Sequence, residues 1–230
     1  KPSASELDEL KQYLAANRHL SESITEHMIR AIPSPNIMNK MQSILTGLYA
    51  ESESPEGTNP LQNVAIALDL LAKLPLMVAY GYLAHYQPEQ DFVPVPEHMG
   101  QAEAFLHALR GGKNVSPLEI EVLDLCLMLH TEHGGGNNST FTTYVVSSSG
   151  TDMYSAITAA ISSLKGPLHG AANKKVMDMM SDIKEHVSDW SSEKELTAYL
   201  EQIVRKQAHD GSGKLFGLGH AVYTKSDPRA

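Results

Sequence analysis

Apolar residues recur three and four positions apart along almost the whole chain, which is the spacing of one face of an α-helix. Leu7, Leu10, Tyr13 and Leu14 mark a first helix that Ser3 or Ser5 caps. Ser23 and Glu26 form a capping box ahead of Met28, Ile29 and Ile32, and Pro33 and Pro35 end that segment. Ile37, Met38, Met41, Ile44, Leu45 and Leu48 repeat the pattern before a polar loop over residues 51–60. Residues 64–83 form the longest apolar run. Asp69, Lys73 and Pro75 inside it argue for a buried helix, kinked or broken at the proline, over a membrane span.

Ala102, Phe105, Leu106 and Leu109 predict another helix that Gly111 and Gly112 terminate. Ser116, Pro117 and Glu119 then supply cap, first-turn proline and capping-box acid for a helix apolar on every side. Such a pattern predicts a helix through the centre of a core. Helical spacing returns at 153–164, 176–183 and 196–204, with Asn173 as a starting residue for the second of these. Only residues 140–146, rich in β-branched side chains, leave helix and strand open. The fold class is all-α. A division near residues 166–173 gives one domain over 1–165 and a more polar one over 166–230.

Composition narrows the function classes. The 230 residues carry 42% hydrophobic and 20% charged side chains, ordinary for a folded globular protein. A formal net charge of −9 and the lack of a basic stripe argue against nucleic acid as a partner. The single cysteine, Cys126, reads as a small buried hydrophobe in a reducing compartment. Neither a membrane span nor a signal peptide is expected, so the predicted location is the cytoplasm.

The chemistry gathers at helix ends. His130 to Asn137 places His133 among three glycines after the all-apolar helix, and Gly166-Pro167-Leu168-His169-Gly170 places His169 in a tight turn. Gly217-Leu218-Gly219-His220 runs on to Asp227-Pro228-Arg229. Glycine neighbours leave an imidazole unobstructed and let a ligand approach the backbone. Taken singly, each stretch reads equally well as an ordinary interhelical turn. His130 and His133 could share a metal, but they do not form His-Glu-x-x-His and no cysteine pair adds ligands, so no metal is expected. Gly211-Ser212-Gly213-Lys214 does not meet the phosphate-loop pattern.

Together, in order and spacing, the three stretches resemble the citrate synthase family, which includes 2-methylcitrate synthases. The last is similar to the family signature Gly-x-Gly-His-x-Val followed by Asp-Pro-Arg; Leu218 stands where an aromatic is commoner, and Ala221 and Thr224 replace basic residues. The resemblance implies a citrate synthase-like multi-helical fold, a homodimer, and condensation of acetyl-CoA with oxaloacetate to citrate and CoA. By the same resemblance His169 donates to the thioester oxygen as the enol forms, and His220 donates to the ketone of oxaloacetate. Arg229 and His133 hold the oxaloacetate. Leu215, Gly217, Leu218 and Gly219 carry the CoA along their backbone.

Acetyl-CoA is thus a co-substrate, with no permanently bound cofactor; a propionyl-CoA-using 2-methylcitrate synthase, a metal-dependent hydrolase and a non-enzymatic all-α scaffold are the alternatives. The aspartate base of the family has no motif match here. The chain begins at Lys1 and stops directly after Asp227-Pro228-Arg229. A fragment truncated at the C-terminus and at the N-terminus, inactive alone and prone to self-association through uncovered apolar surface, is the expectation that follows.

Overall fold

The computed structural model describes residues 2–57, 59–131, 136–170, 172–219 and 225. Among them are ten helices and no strand. In order these are α1 (Ala4–Ala16), a wide-turn π-helix (Ser23–Arg30), α2 (Ile37–Glu51), α3 (Pro60–Tyr86) and α4 (Gln101–Leu109), then α5 (Pro117–Leu129), α6 (Asn138–Ser147), α7 (Met153–Leu164), α8 (Ala172–His186) and α9 (Glu193–Val204). The chain divides into two compact units, Lys1–Ser163 and Leu164–Ala230, so the boundary falls at the last residue of α7.

In the first unit α3 is the axis, with α1, the π-helix, α2 and α4 packed on it. Met77, Ala79 and Leu83 of α3 have no exposed surface, nor do Ile44 and Leu45 of α2 or Ile29 of the π-helix. Burying each of the larger aliphatic side chains contributes about 1.5–3 kcal/mol. By length and composition α3 could cross a bilayer. Ten of its residues are instead buried against its neighbours, and its Lys73 pairs with Asp69 one turn back.

Pro75 does not break α3, which runs continuously from Pro60 to Tyr86. A proline nitrogen has no hydrogen to give the carbonyl four residues earlier. That carbonyl, on Leu71, accepts instead from Gln101 Nε2 at 2.6 Å. Gln101 is the first residue of α4, and its Oε1 accepts in turn from Arg18 Nη2 at 3.2 Å. Arg18 also donates to the Met99 carbonyl at 2.8 Å, and burial to 4% exposure pulls its pKa down. Lys73 reaches the Asn17 carbonyl at 3.0 Å, so both ends of the proline turn are tied to their surroundings.

The π-helix departs from the expected cap. Ser21, not Ser23, accepts from the Ile24 backbone, at 3.1 Å, and the residue preceding the helix, Glu22, makes no side-chain cap. At its other end the Met28 carbonyl accepts from Lys40 Nζ at 2.6 Å. The last carbonyls of any helix lack intrahelical donors, and here a buried ammonium supplies one. A Cβ on Gly81 would stand 3.1 Å from Lys40 Cγ, so that glycine gives the lysine stem its path between α2 and α3.

The caps read from the sequence otherwise hold. Ser3 forms a capping box with Glu6, and Ser116 forms one with Glu119 behind Pro117. Gly111 and Gly112 end α4 with φ of 62° and 78°. The open stretch 140–146 is helical, because Asn137 Oδ1 accepts from the Ser139 and Thr140 backbones and opens α6. Asn173 lies inside α8, which begins one residue earlier, and does not start it.

Two readings are corrected. No residue of α5 is buried, and Cys126 on it is exposed. The all-round apolar surface of α5 is real, but among the described residues only α4 packs extensively on it. Leu118 is 66% exposed, and on α6 Phe141 and Tyr144 are 62% and 70% exposed.

Arg110 joins α4 to the start of α5: its Nη1 and Nη2 meet the Glu119 carboxylate at 3.1 and 2.6 Å. That bidentate pair, with help from the Ser116 backbone and hydroxyl, pulls the Glu119 carboxyl down to about 2. The group's contribution to stability is present above its ordinary value of 4.5 and is lost as pH falls toward 2. An NMR titration of Glu119 should therefore give a midpoint near 2, moving up toward 4.5 in Arg110→Ala; an unchanged midpoint contradicts the assignment.

Gln101→Ala should cost about 1–2 kcal/mol in urea unfolding, since it takes a partner from the buried Arg18 and the donor from the Leu71 carbonyl. In a Pro75→Ala background, where the helical bond to Leu71 returns, the same change should cost less; strict additivity contradicts the account.

Candidate active site

The second unit opens with the turn that carries His169. The His169 backbone N–H donates to the Gly166 carbonyl at 3.0 Å, and the His169 carbonyl accepts from Ala172 at the same distance. A Cβ on Gly170 would lie 2.7 Å from the Leu164 carbonyl and 2.4 Å from its side chain, so only glycine closes this turn. The tight turn leaves Leu168 fully exposed and the His169 residue half-buried between its neighbours.

Helices α8 and α9 pack through Met179, Ile183, Val187, Tyr199 and Ile203, with Leu215 and Phe216 of the following loop laid against them. The result is an apolar groove of about 370 Å3. Its walls are Val176, Met179, Met180 and Ile183 from α8, Leu196 and Leu200 from α9, the half-exposed Trp190, and the strip Leu215, Phe216, Gly217 and Leu218. Gly217 has φ of 88°, and a Cβ there would press on Val176 at 3.3 Å; Gly219 has φ of 81°. Both positions are in the left-handed region that favours glycine, which lets the strip turn with its backbone uncovered along one wall. A groove of this kind accepts an extended molecule with an apolar stem.

The family model for the C-terminal domain of citrate synthase matches residues 1–230. The chain belongs to the citrate synthase family. It is 37% identical to "Citrate synthase 2" of Bacillus subtilis over its whole length and 35% identical to a 2-methylcitrate synthase of Shewanella oneidensis over 99% of it. Among solved structures it superimposes on citrate synthase from Pyrobaculum aerophilum with a TM-score of 0.80 at 30% identity, over the whole chain. The chain spans 58% of the Bacillus protein, 56% of the Shewanella protein and 55% of the Pyrobaculum chain. The all-α citrate synthase fold is thereby shown.

Of the citrate synthase residues read from the sequence, His169 and the strip Leu215, Gly217, Leu218 and Gly219 lie within the second unit. His133, His220 and Arg229 fall outside the described residues. Among the described residues no cluster of histidine, cysteine and carboxylate groups could hold a metal ion.

Sequence reading missed a second group in this unit, centred on Asp182. Tyr199 Oη donates to Asp182 Oδ2 at 2.8 Å, and His209 Nδ1 stands 3.5 Å from the same oxygen. His186, one turn along α8, lies 3.5 Å from Oδ1 and stacks on the Tyr199 ring. Burial first, then the bond to Asp182, pushes the Tyr199 hydroxyl up to about 12. The i,i+4 spacing of Asp182 and His186 was visible in the sequence; the approach of His209 from beyond α9 was not.

Gly217→Ala should destabilise the second unit by about 1–3 kcal/mol, because alanine is strained at positive φ and its methyl meets Val176. Thermal unfolding followed by the fluorescence of Trp190, the sole tryptophan, reads this directly; an unchanged transition contradicts the packing of the strip.

Proposed function

We propose that the chain serves the citrate synthase reaction, joining the methyl carbon of acetyl-CoA to the ketone carbon of oxaloacetate to give citrate and CoA. The observation that carries this reading is the family match over all 230 residues together with His169 set in a glycine-closed turn. The methyl group beside a thioester is a weak carbon acid, so its proton passes to a carboxylate base, for which these 230 residues offer no motif match, as the enol oxygen takes a hydrogen bond from a donor. His169 is that donor, and a neutral imidazole suffices when its other nitrogen is held. His220 donates to the ketone oxygen, which gains negative charge when the carbon bond forms. Arg229 clamps an oxaloacetate carboxylate in bidentate fashion, and His133 contacts the same substrate. Water then cleaves the thioester, releasing citrate and the CoA thiol.

The apolar groove supports the placing of CoA along Leu215 to Gly219, since a pantetheine stem needs an apolar wall beside backbone it can approach. Propionyl-CoA is a second reading, favoured by the near-equal identities to a citrate synthase and to a 2-methylcitrate synthase, 37% and 35%. The exposed apolar surfaces of α5 and α6 support a homodimer, because a face of this kind is covered in solution by another protein surface. The cytoplasm is the location that suits an exposed free thiol.

Oxaloacetate and acetyl-CoA should each raise the melting temperature of the chain, as ligands that bind only the folded state must. His169→Ala should keep the shift by oxaloacetate and weaken that by acetyl-CoA. A larger shift by propionyl-CoA decides for the second reading, and no shift by any of the three overturns both. Light scattering should report a dimer; a clean monomer that binds no ANS contradicts the homodimer.

A further inference from the structure

His209 has no part in the reaction proposed above, yet it is among the most constrained side chains of the second unit. Its side chain is only 10% exposed, and its backbone φ is 54°, a region that side chains with a Cβ rarely adopt. Nδ1 stands 3.5 Å from Asp182 on α8, and Nε2 is buried with no hydrogen-bond partner among the described residues. The ring meets Phe216 edge to face, with centroids 6.1 Å apart and planes at 79°. One imidazole thus touches a carboxylate of α8 on one side and the strip that walls the groove on the other.

A glycine at 209 would relieve the backbone, and any aliphatic residue would remove the unpaired nitrogen. What histidine adds is a rigid ring spanning Asp182 and Phe216. We propose that His209 and Asp182 are positioning residues that fasten the 211–219 loop to α8 and so fix the strip Leu215 to Gly219 for the acyl carrier. The role of the strip rests on the reading under Proposed function; the fastening itself does not.

The neighbouring charges agree with a fixed arrangement. Tyr199 Oη donates to Asp182 Oδ2 and so orients the carboxylate presented to His209, while the nearby His186 Nδ1 lies 2.8 Å from the Asp182 backbone carbonyl. One residue further on, Asp210 is reached by Lys175 of α8 at 3.8 Å, and the same ammonium lies 5.8 Å from the centre of the Phe216 ring. The start of the loop is therefore fastened at two adjacent residues, His209 and Asp210, and both His209 and Lys175 also meet the Phe216 ring.

The test compares His209→Gly, His209→Asn and Asp182→Asn with the parent chain by melting temperature, hydrogen exchange of amides 211–219, and calorimetric titration with coenzyme A. His209→Gly should melt no lower than the parent, yet its loop amides should exchange at least tenfold faster and its Kd for coenzyme A should rise about tenfold. His209→Asn, which tolerates positive φ and offers an amide donor near the place of Nδ1, should bring both readouts back to within about threefold. Asp182→Asn should loosen the loop as His209→Gly does.

A merely structural histidine would change affinity only in step with melting temperature, and that result overturns the proposal. So does His209→Gly with parental exchange and parental Kd. If the parent chain binds no coenzyme A, the acyl-carrier reading of the strip fails, and loop exchange in His209→Gly alone upholds or overturns the fastening.

Discussion

The structure depends first on the burial of α3. A 27-residue helix apolar on nearly every side has to be enclosed, and α1, the π-helix, α2 and α4 are arranged to do so. Enclosure creates a second obligation, because each polar group carried inward needs a partner. The π-helix ends with a free Met28 carbonyl and the buried Lys40 takes that up; at the more exposed surface of α3, Pro75 frees the Leu71 carbonyl and Gln101 bonds it. These two bonds tie α3 to α4 and α2 to the π-helix, so polar bookkeeping and helix packing fix the same contacts. Tyr80 follows the same rule: burial pushes its hydroxyl up to about 12, and it donates to the Val93 carbonyl at 2.9 Å.

A chain that satisfies its backbone inside helices leaves chemistry to the turns between them. His169 illustrates this, since Gly170 can approach the Leu164 carbonyl only without a side chain, and that approach sets the turn that presents the imidazole. Gly217 does the same for the groove strip against Val176. Among the described residues of the second unit, the non-glycine residues at positive φ are Lys206 and His209, both at the start of the loop that bears the strip. Strain gathers there beside the surface assigned to the ligand.

Helix type and most boundaries were legible because periodicity and capping chemistry are local. Ser3 with Glu6 and Ser116 with Glu119 form the boxes their spacing predicts. Errors arose where a distant residue decides. Pro75 reads as a kink or a break; the helix continues through it, and Gln101, 26 positions on, supplies the donor that the Leu71 carbonyl lacks. Ser23 is the local exception: the hydroxyl that bonds the Ile24 backbone belongs to Ser21, two residues earlier. The composition of α5 resembles that of a core helix, and apolar pattern alone does not say whether the covering surface comes from the same chain. The glycine-bordered histidine at 169 was found from its neighbours in sequence. The Asp182 group was not, because His209 reaches it across the whole of α9.

The central claim is that the groove beside Leu215 to Gly219 receives the acyl carrier. Titrating the isotopically labelled chain with coenzyme A while following backbone amide shifts tests it most directly. The account predicts saturable shifts concentrated at Leu215 to Gly219 and at the Trp190 indole, with the helices of the first unit largely unmoved. Shifts confined to other surfaces, or none at millimolar coenzyme A, contradict it.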